Sequence, residues 1–404
     1  MTDSLKLSLD LTKLPLHARL QIPLVVGSEI NPRSGELLSR KLKPTKGFSP
    51  MSNTRTWWLV RSEKLFMNEQ WEDVATSVEA DLNLANALTG QNLEHGTSVF
   101  AAGVGALYLI KIWLATAGLD RMYLNRLTEA DIKLVSVTLT YLISCLTNAE
   151  ARALVHDIRT TAHILSSRAE SYKSSNETVN LHTKHGRLGA YHKTLLKFCK
   201  FATGAPTADI LDANALLVRL ESKLNSAFLA KTGLTSLLSW KDAYADGLYE
   251  LFFQKTVLEP LQLDLRHNRP RPEALASLTP MEAEFVLHYL DGGDCRTFSN
   301  VAQAAFPVQT LSKLRIAVRR KLFIDTDIPW TEHTKLRCFK LKDQLVYPGD
   351  YFPPAERAAW CFCKQSWPQL LQKLSDRLDA ALAPMEWAPA YPRIHLLSTC
   401  QAAL

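Results

Sequence analysis

The run at residues 132–144, IKLVSVTLTYLIS, sets Val135, Val137, Leu139 and Tyr141 against Ser136, Thr138 and Thr140. That period of two belongs to a β-strand with one buried and one polar face, and a helix would scatter the same residues around its axis. LLVRLESKL (216–224) repeats the device, with Val218, Leu220 and Leu224 facing one way and Arg219, Glu221 and Lys223 the other. Strands of this kind build antiparallel sheets with one face packed on a core. A covering layer is available in AEARALVHDIRTTAHIL (149–165), where Ala151, Leu154, Ile158, Ala162 and Leu165 recur three or four apart, the spacing of a helix with one apolar face. The fold class expected is therefore α+β, an antiparallel sheet with packed helices.

Residues 97–119, TSVFAAGVGALYLIKIWLATAGL, approach membrane-spanning length. Lys111 lies inside the run, where a charge is costly in lipid, so a buried core helix is expected and no membrane. Composition agrees with a globular chain: 47% hydrophobic and 22% charged over 404 residues, enough for roughly two or three domains at about 150 residues each. The formal charge of +7 favours an anionic partner. Seven scattered cysteines with no CxxC pair indicate neither a disulfide framework nor a zinc ribbon, and point to a reducing compartment. The N-terminus is too polar for a signal peptide.

The first ninety residues read as short strands: LQIPLVV (20–26) before the turn formers Asn31 to Gly35, then TRTWWLVRS (54–62) and VATSVEADL (74–82). TVNLHTKHGR (178–187) reads as a hairpin arm. Two prolines among three arginines in 263–275 mark a boundary. Three units are expected: 1–262, β-rich; 263–330, helical; and 331–404, an extension with no readable pattern. In the helical unit Thr279 offers an N-cap with Pro280 at the first helical position, Gly292 and Gly293 end that helix, and FSNVAQAAF and TLSKLRIAVRRKLF complete a helix-turn-helix-like pattern. Lys313, Arg315, Arg319, Arg320 and Lys321 line its last helix, as a DNA-recognition helix requires. An ordinary exposed basic helix gives the same pattern.

Chemistry-bearing residues gather in 182–221. His182, His185 and His192 fall close together, and with Glu221 they offer imidazole and carboxylate ligands for a divalent metal. Solvated histidines and a Glu221 salt bridge are the plainer alternatives. Lys184, Arg187, Lys193, Lys197 and Lys200 interleave with Tyr191 and Phe198, a pattern suited to single-stranded nucleic acid, where cations follow phosphates and rings stack on bases. A half-buried amphipathic strand looks the same. No Walker A, GxGxxG, HExxH or GxSxG motif is present, so ATPase, dehydrogenase, zinc-protease and hydrolase readings have no support.

The order of these segments resembles the gene II replication initiators of filamentous phages and related plasmid-like elements. LQIPLVVGSEI…NPRSGEL, FSPMSNTRTWWLVRS, VEADLNLANALTGQNLEHGTSVF, VSVTLTY, TVNLHTKHGR, LLKFCK, LVRLESKLNSAFLAKTGL and LSKLRIAVRRKLFIDTDIPW are similar to successive blocks of that family, over about residues 14–330. The chain departs from the family at three places. Gln91 stands at the usual loop histidine, Thr138 or Ser136 at a strand aspartate, and the nucleophile position falls on Tyr191 in one register and on Phe198 in the other.

What the resemblance implies is a nicking-type sheet domain that cuts one strand of origin DNA in the host bacterial cytoplasm, starts rolling-circle synthesis and rejoins the displaced circle. Tyr191 would be the nucleophile, and Glu221 with His182 or His185 would support Mg²⁺ or Mn²⁺. Lys184, Arg187 and Lys193 would contact phosphates, and the helical unit would bind duplex origin DNA. Host helicase and polymerase would be further partners. A catalytically degenerate origin-binding relative, or a plain DNA-binding regulator, are the alternatives.

Overall fold

The computed structural model describes residues 2–30, 37–52, 54–89, 98–165, 170–171, 178–183, 186–192, 216–243, 245–261, 272–300, 305–322, 324, 326, 330–333, 341–346 and 367–383. Within them the architecture is α+β, built on an antiparallel sheet. Its strands are β1 (Thr2–Asp10), β4 (Thr45–Phe48), β5 (Arg55–Met67), β6 (Gln70–Asn83), β7 (Ile132–Ser144), β8 (Glu170–Ser171), β9 (Thr178–Thr183), β10 (Gly186–His192), β11 (Leu217–Leu224) and β12 (Leu345–Val346). They lie in the order β4-β5-β6-β1-β7-β11-β10-β9-β8, with β12 pairing to the end of β7 beyond the reach of β1. A separate hairpin joins β2 (Val26–Ile30) to β3 (Leu37–Leu42).

Alternation decides what each face does. Leu5, Leu7 and Leu9 of β1 pair with Leu82, Ala80 and Val78 of β6 and with the apolar positions of β7, and these side chains are buried in one core. That core is covered by α3 (Val99–Thr116) and α5 (Asn148–Leu165). Trp113 of α3 stacks on Trp58 of β5 at 5.9 Å. The start of α3 is fixed twice, by Ser98 accepting from the Ala101 amide and by the Tyr249 hydroxyl accepting from the Val99 amide at 2.8 Å. Both satisfy donors that a helix N-terminus leaves free.

Helix α3 is long and apolar enough to cross a membrane, yet 72% of its window is buried inside the fold, as expected of a core helix. Lys111 is half-buried, and desolvation pulls its pKa below the ordinary lysine value against the pull of Glu129 and Asp131. The expected strands at 132–144 and 216–224, and the helix at 149–165, stand where their periodicity placed them.

Two expectations are corrected. Residues 20–26 are not one strand: Leu20 and Gln21 end α1 (Leu16–Gln21), which follows Pro15, and Pro23 separates them from β2. The described ends of FSNVAQAAF, 298–300 and 305–306, are not helical. The described part of 331–404 contributes to the main core, where Leu341 and Leu370, Leu374 and Leu378 of the helix Trp367–Leu382 are buried.

A second, smaller core joins the helices Pro280–Leu290 and Val308–Leu322 through Phe285, Val286, Tyr289, Leu311, Leu314, Val318 and Leu322. Thr279 caps the helix Pro280–Leu290 as expected, and with Glu282 it forms a capping box. Lys321 donates to Glu282 at 2.6 Å and to the Ser277 carbonyl at 3.0 Å. One of the five basic positions is therefore committed to packing. Lys313 is exposed and Arg315 half-buried, while the side chains of Arg319 and Arg320 lie outside the described residues.

Candidate active site

The sheet's second face is polar, and its centre is laid out by register. Tyr191 on β10 stands opposite Arg219 on β11 and Thr178 on β9. One step along, Gly189 stands between Glu221 and Asn180, and Glu221 faces Thr140 on β7. A further step brings Arg187 opposite Lys223 and His182, with Lys223 facing Thr138. Because successive residues alternate faces, these three rows form one polar strip. Exposure is graded along it: Arg219 is 1% and Tyr191 9% exposed, the Glu221 side chain keeps 24%, and Arg187 and Lys223 are exposed.

The Tyr191 hydroxyl donates to Glu221 Oε1 in a short hydrogen bond. Arg219 Nε approaches the same oxygen at 3.3 Å. Two neighbouring strands thus bring the expected nucleophile and the expected carboxylate into direct contact. A carboxylate placed so can take a proton from a phenol, and the guanidinium can steady the charge that moves between them. Arg219 was expected on the polar face, and it is there, but buried beneath the strip rather than solvated.

The remaining expected site residues divide. Thr138, at the family's aspartate position or two residues beyond it, accepts a hydrogen bond from Ser4 at 3.0 Å, and Ser136 is buried on the same strand. The backbone of His182 pairs with Arg187, while its side chain, Lys184, His185, Lys193, Phe198 and Gln91 lie outside the described residues. His192 is 1% exposed and, one residue past Tyr191, points into the opposite layer, away from the strip.

Among the described residues no three His, Cys, Asp or Glu side chains gather. Glu221 is the strip's one described carboxylate, and its Oε1 already faces a hydroxyl and a guanidinium. The other ligands expected beside Glu221, the side chains of His182 and His185, lie outside the described residues.

Comparison with protein-family models, curated proteins and solved structures finds no match. The two described cysteines are poor nucleophiles: burial pushes the Cys145 thiol up to about 12 and the Cys295 thiol to about 11, leaving almost no thiolate at neutral pH. Reading by residue type alone missed Asn180 and Gly189. Their signal was the alternation Arg187, Gly189, Tyr191, which puts a missing side chain on the same face as the tyrosine.

Proposed function

We propose that the chain is a rolling-circle replication initiator that nicks and rejoins one DNA strand through Tyr191. The observation that carries this reading is the Tyr191–Glu221 hydrogen bond on the polar face of an antiparallel sheet. In the proposed step Tyr191 Oη attacks a backbone phosphorus while its proton passes to Glu221. The bond from phosphorus to the 3′ oxygen breaks, and that oxygen takes up a proton to become a 3′ hydroxyl able to prime synthesis. The phosphotyrosyl ester keeps the exchanged bond, so a later 3′ hydroxyl can reverse the reaction and close a circle.

Arg187 and Lys223, exposed at the outer end of the strip, supply the positive charge that draws a polyanion. Lys313, exposed on the helix Val308–Leu322, would with Arg315, Arg319 and Arg320 contact phosphates in the proposed duplex-binding unit.

The test incubates purified protein with supercoiled origin plasmid in Mg²⁺, in Mn²⁺ and in chelator, followed by proteolysis and mass spectrometry for a nucleotide-bearing peptide. The expected adduct is on the peptide holding Tyr191. Tyr191→Phe should abolish it, and Glu221→Gln should slow its formation about 10²-fold or more, the usual contribution of a general base. An adduct that survives in Tyr191→Phe sinks the assignment.

One observation favours a second reading, an origin-binding relative without catalysis: Thr138 and Ser136 offer hydroxyls where the family it resembles has an aspartate. Duplex binding with no adduct under any of the three conditions would select it.

A further inference from the structure

We infer that Gly189 floors a subsite for one DNA phosphate beside the Tyr191–Glu221 pair, and that Asn180 holds a non-bridging oxygen of that phosphate. The ligand's identity rests on the nicking reading above; the subsite itself rests on three observations. The first is the glycine. Gly189 lies inside β10, paired on both sides, where glycine weakens a strand and marks close approach of a ligand or another backbone. A Cβ built there would stand 3.3 Å from Asn180 Oδ1 and 3.9 Å from the Glu221 Cβ. The absent side chain leaves a gap with the Asn180 carboxamide on one side and the Glu221 stem on the other.

The second observation is Asn180 itself. It is 2% exposed, and its Nδ2 is buried with no hydrogen-bond partner. Burying an amide donor unpaired is unfavourable, and Asn180 does so directly across from the strand glycine. A half-turn of the carboxamide exchanges its oxygen and nitrogen, which puts the donor over Gly189. An acceptor oxygen lying there satisfies the donor and fills the gap together.

The third observation is the charge around the gap. Along β10, Gly189 has exposed Arg187 on one side and Tyr191 on the other, with Lys223 opposite Arg187. An anion approaching from the exposed end passes two cations, reaches the gap, and there abuts the tyrosine that bonds Glu221. A neutral amide is suited to that place: it fixes an oxygen without adding charge that would compete for Glu221. Asn180 is thus a positioning residue for the phosphate rather than a participant in proton transfer.

The test measures binding of a labelled single-stranded oligonucleotide to the full chain by fluorescence anisotropy, beside thermal midpoints, for wild type, Asn180→Ala, Asn180→Asp and Gly189→Ala. Asn180→Ala should weaken binding about tenfold, one hydrogen bond to a charged group, with a midpoint equal to or above wild type because an unpaired buried donor has gone. Asn180→Asp should weaken it further by repelling the phosphate, and Gly189→Ala should weaken it by occupying the gap. Wild-type affinity in both Asn180→Ala and Gly189→Ala overturns the subsite while leaving the nicking reading intact. So does a weakening in Asn180→Ala matched by a lowered midpoint, which marks a structural role. Failure of the wild type to bind the oligonucleotide overturns both.

Discussion

At the scale of single residues, two buried carboxylates tie the chain's stability to acid. Burial alone pushes Asp131 upward, but hydrogen bonds from Lys13 and from the Thr128 amide and hydroxyl outweigh it, and the group ends below the ordinary aspartate value. Glu282 follows the same balance, with burial opposed by Lys321 and Thr279. A carboxyl depressed in the folded state stabilises fully above its unfolded pKa, about 4. That stabilisation is lost as pH falls through the lower folded value. Urea midpoints should therefore hold at neutral pH and fall below about pH 4. Asp131→Asn and Glu282→Gln should each flatten that acid limb while lowering stability at pH 7. A variant whose acid limb is as steep as wild type would remove its carboxyl from this account.

At the scale of elements, the site depends on the register of β10 against β11, and Gly186 lets the two strands approach at the start of β10. Its φ is +148°, and a Cβ there would fall 1.8 Å from the Lys223 carbonyl oxygen. Gly186→Ala should cost more than the ~1–3 kcal/mol of a strained backbone, because the strand pair itself must separate. Denaturant unfolding would show the loss, and a variant as stable as wild type would contradict it.

Elements of this kind were also the legible part of the sequence. Strands β7 and β11 declare themselves by alternation, and the capped helix Pro280–Leu290 by Thr279, Pro280 and Glu282. Strand β1 alternates just as clearly through Leu5, Leu7 and Leu9, but its polar partners Ser4, Lys6 and Ser8 bear only on the question of a signal peptide. The contact of Tyr191 with Glu221 could not be read, since it needs the pairing of β10 with β11 across a connection of more than twenty residues. Alternation assigns a residue to a face and says nothing of its neighbour. The buried state of Arg219 was hidden for the same reason: an arginine on a polar face is ordinarily solvated.

At the scale of the whole molecule, the main core is closed by chain segments far apart in sequence. The helix Trp367–Leu382 packs on α3 and buries Leu370, Leu374 and Leu378, with Arg121 and Asp379 paired at its rim at 2.7 Å. Three buried leucines contribute about 5–9 kcal/mol at ~1.5–3 each, an upper estimate comparable to the net stability of a typical domain. A chain ended at residue 366 should therefore bind hydrophobic dyes and lose its cooperative melt. A sharp wild-type-like transition would show that helix to be dispensable.

The place of β1 between β6 and β7 also bears on how the protein is made. Thr2–Asp10 leaves the ribosome long before Ile132–Ser144, and at roughly 5–20 residues per second one flank of β1 stays bare for on the order of 10 s. Through that interval a leucine-rich segment with an unsatisfied edge can join to strangers. Slow, cool expression or a holding chaperone should raise the yield of soluble chain.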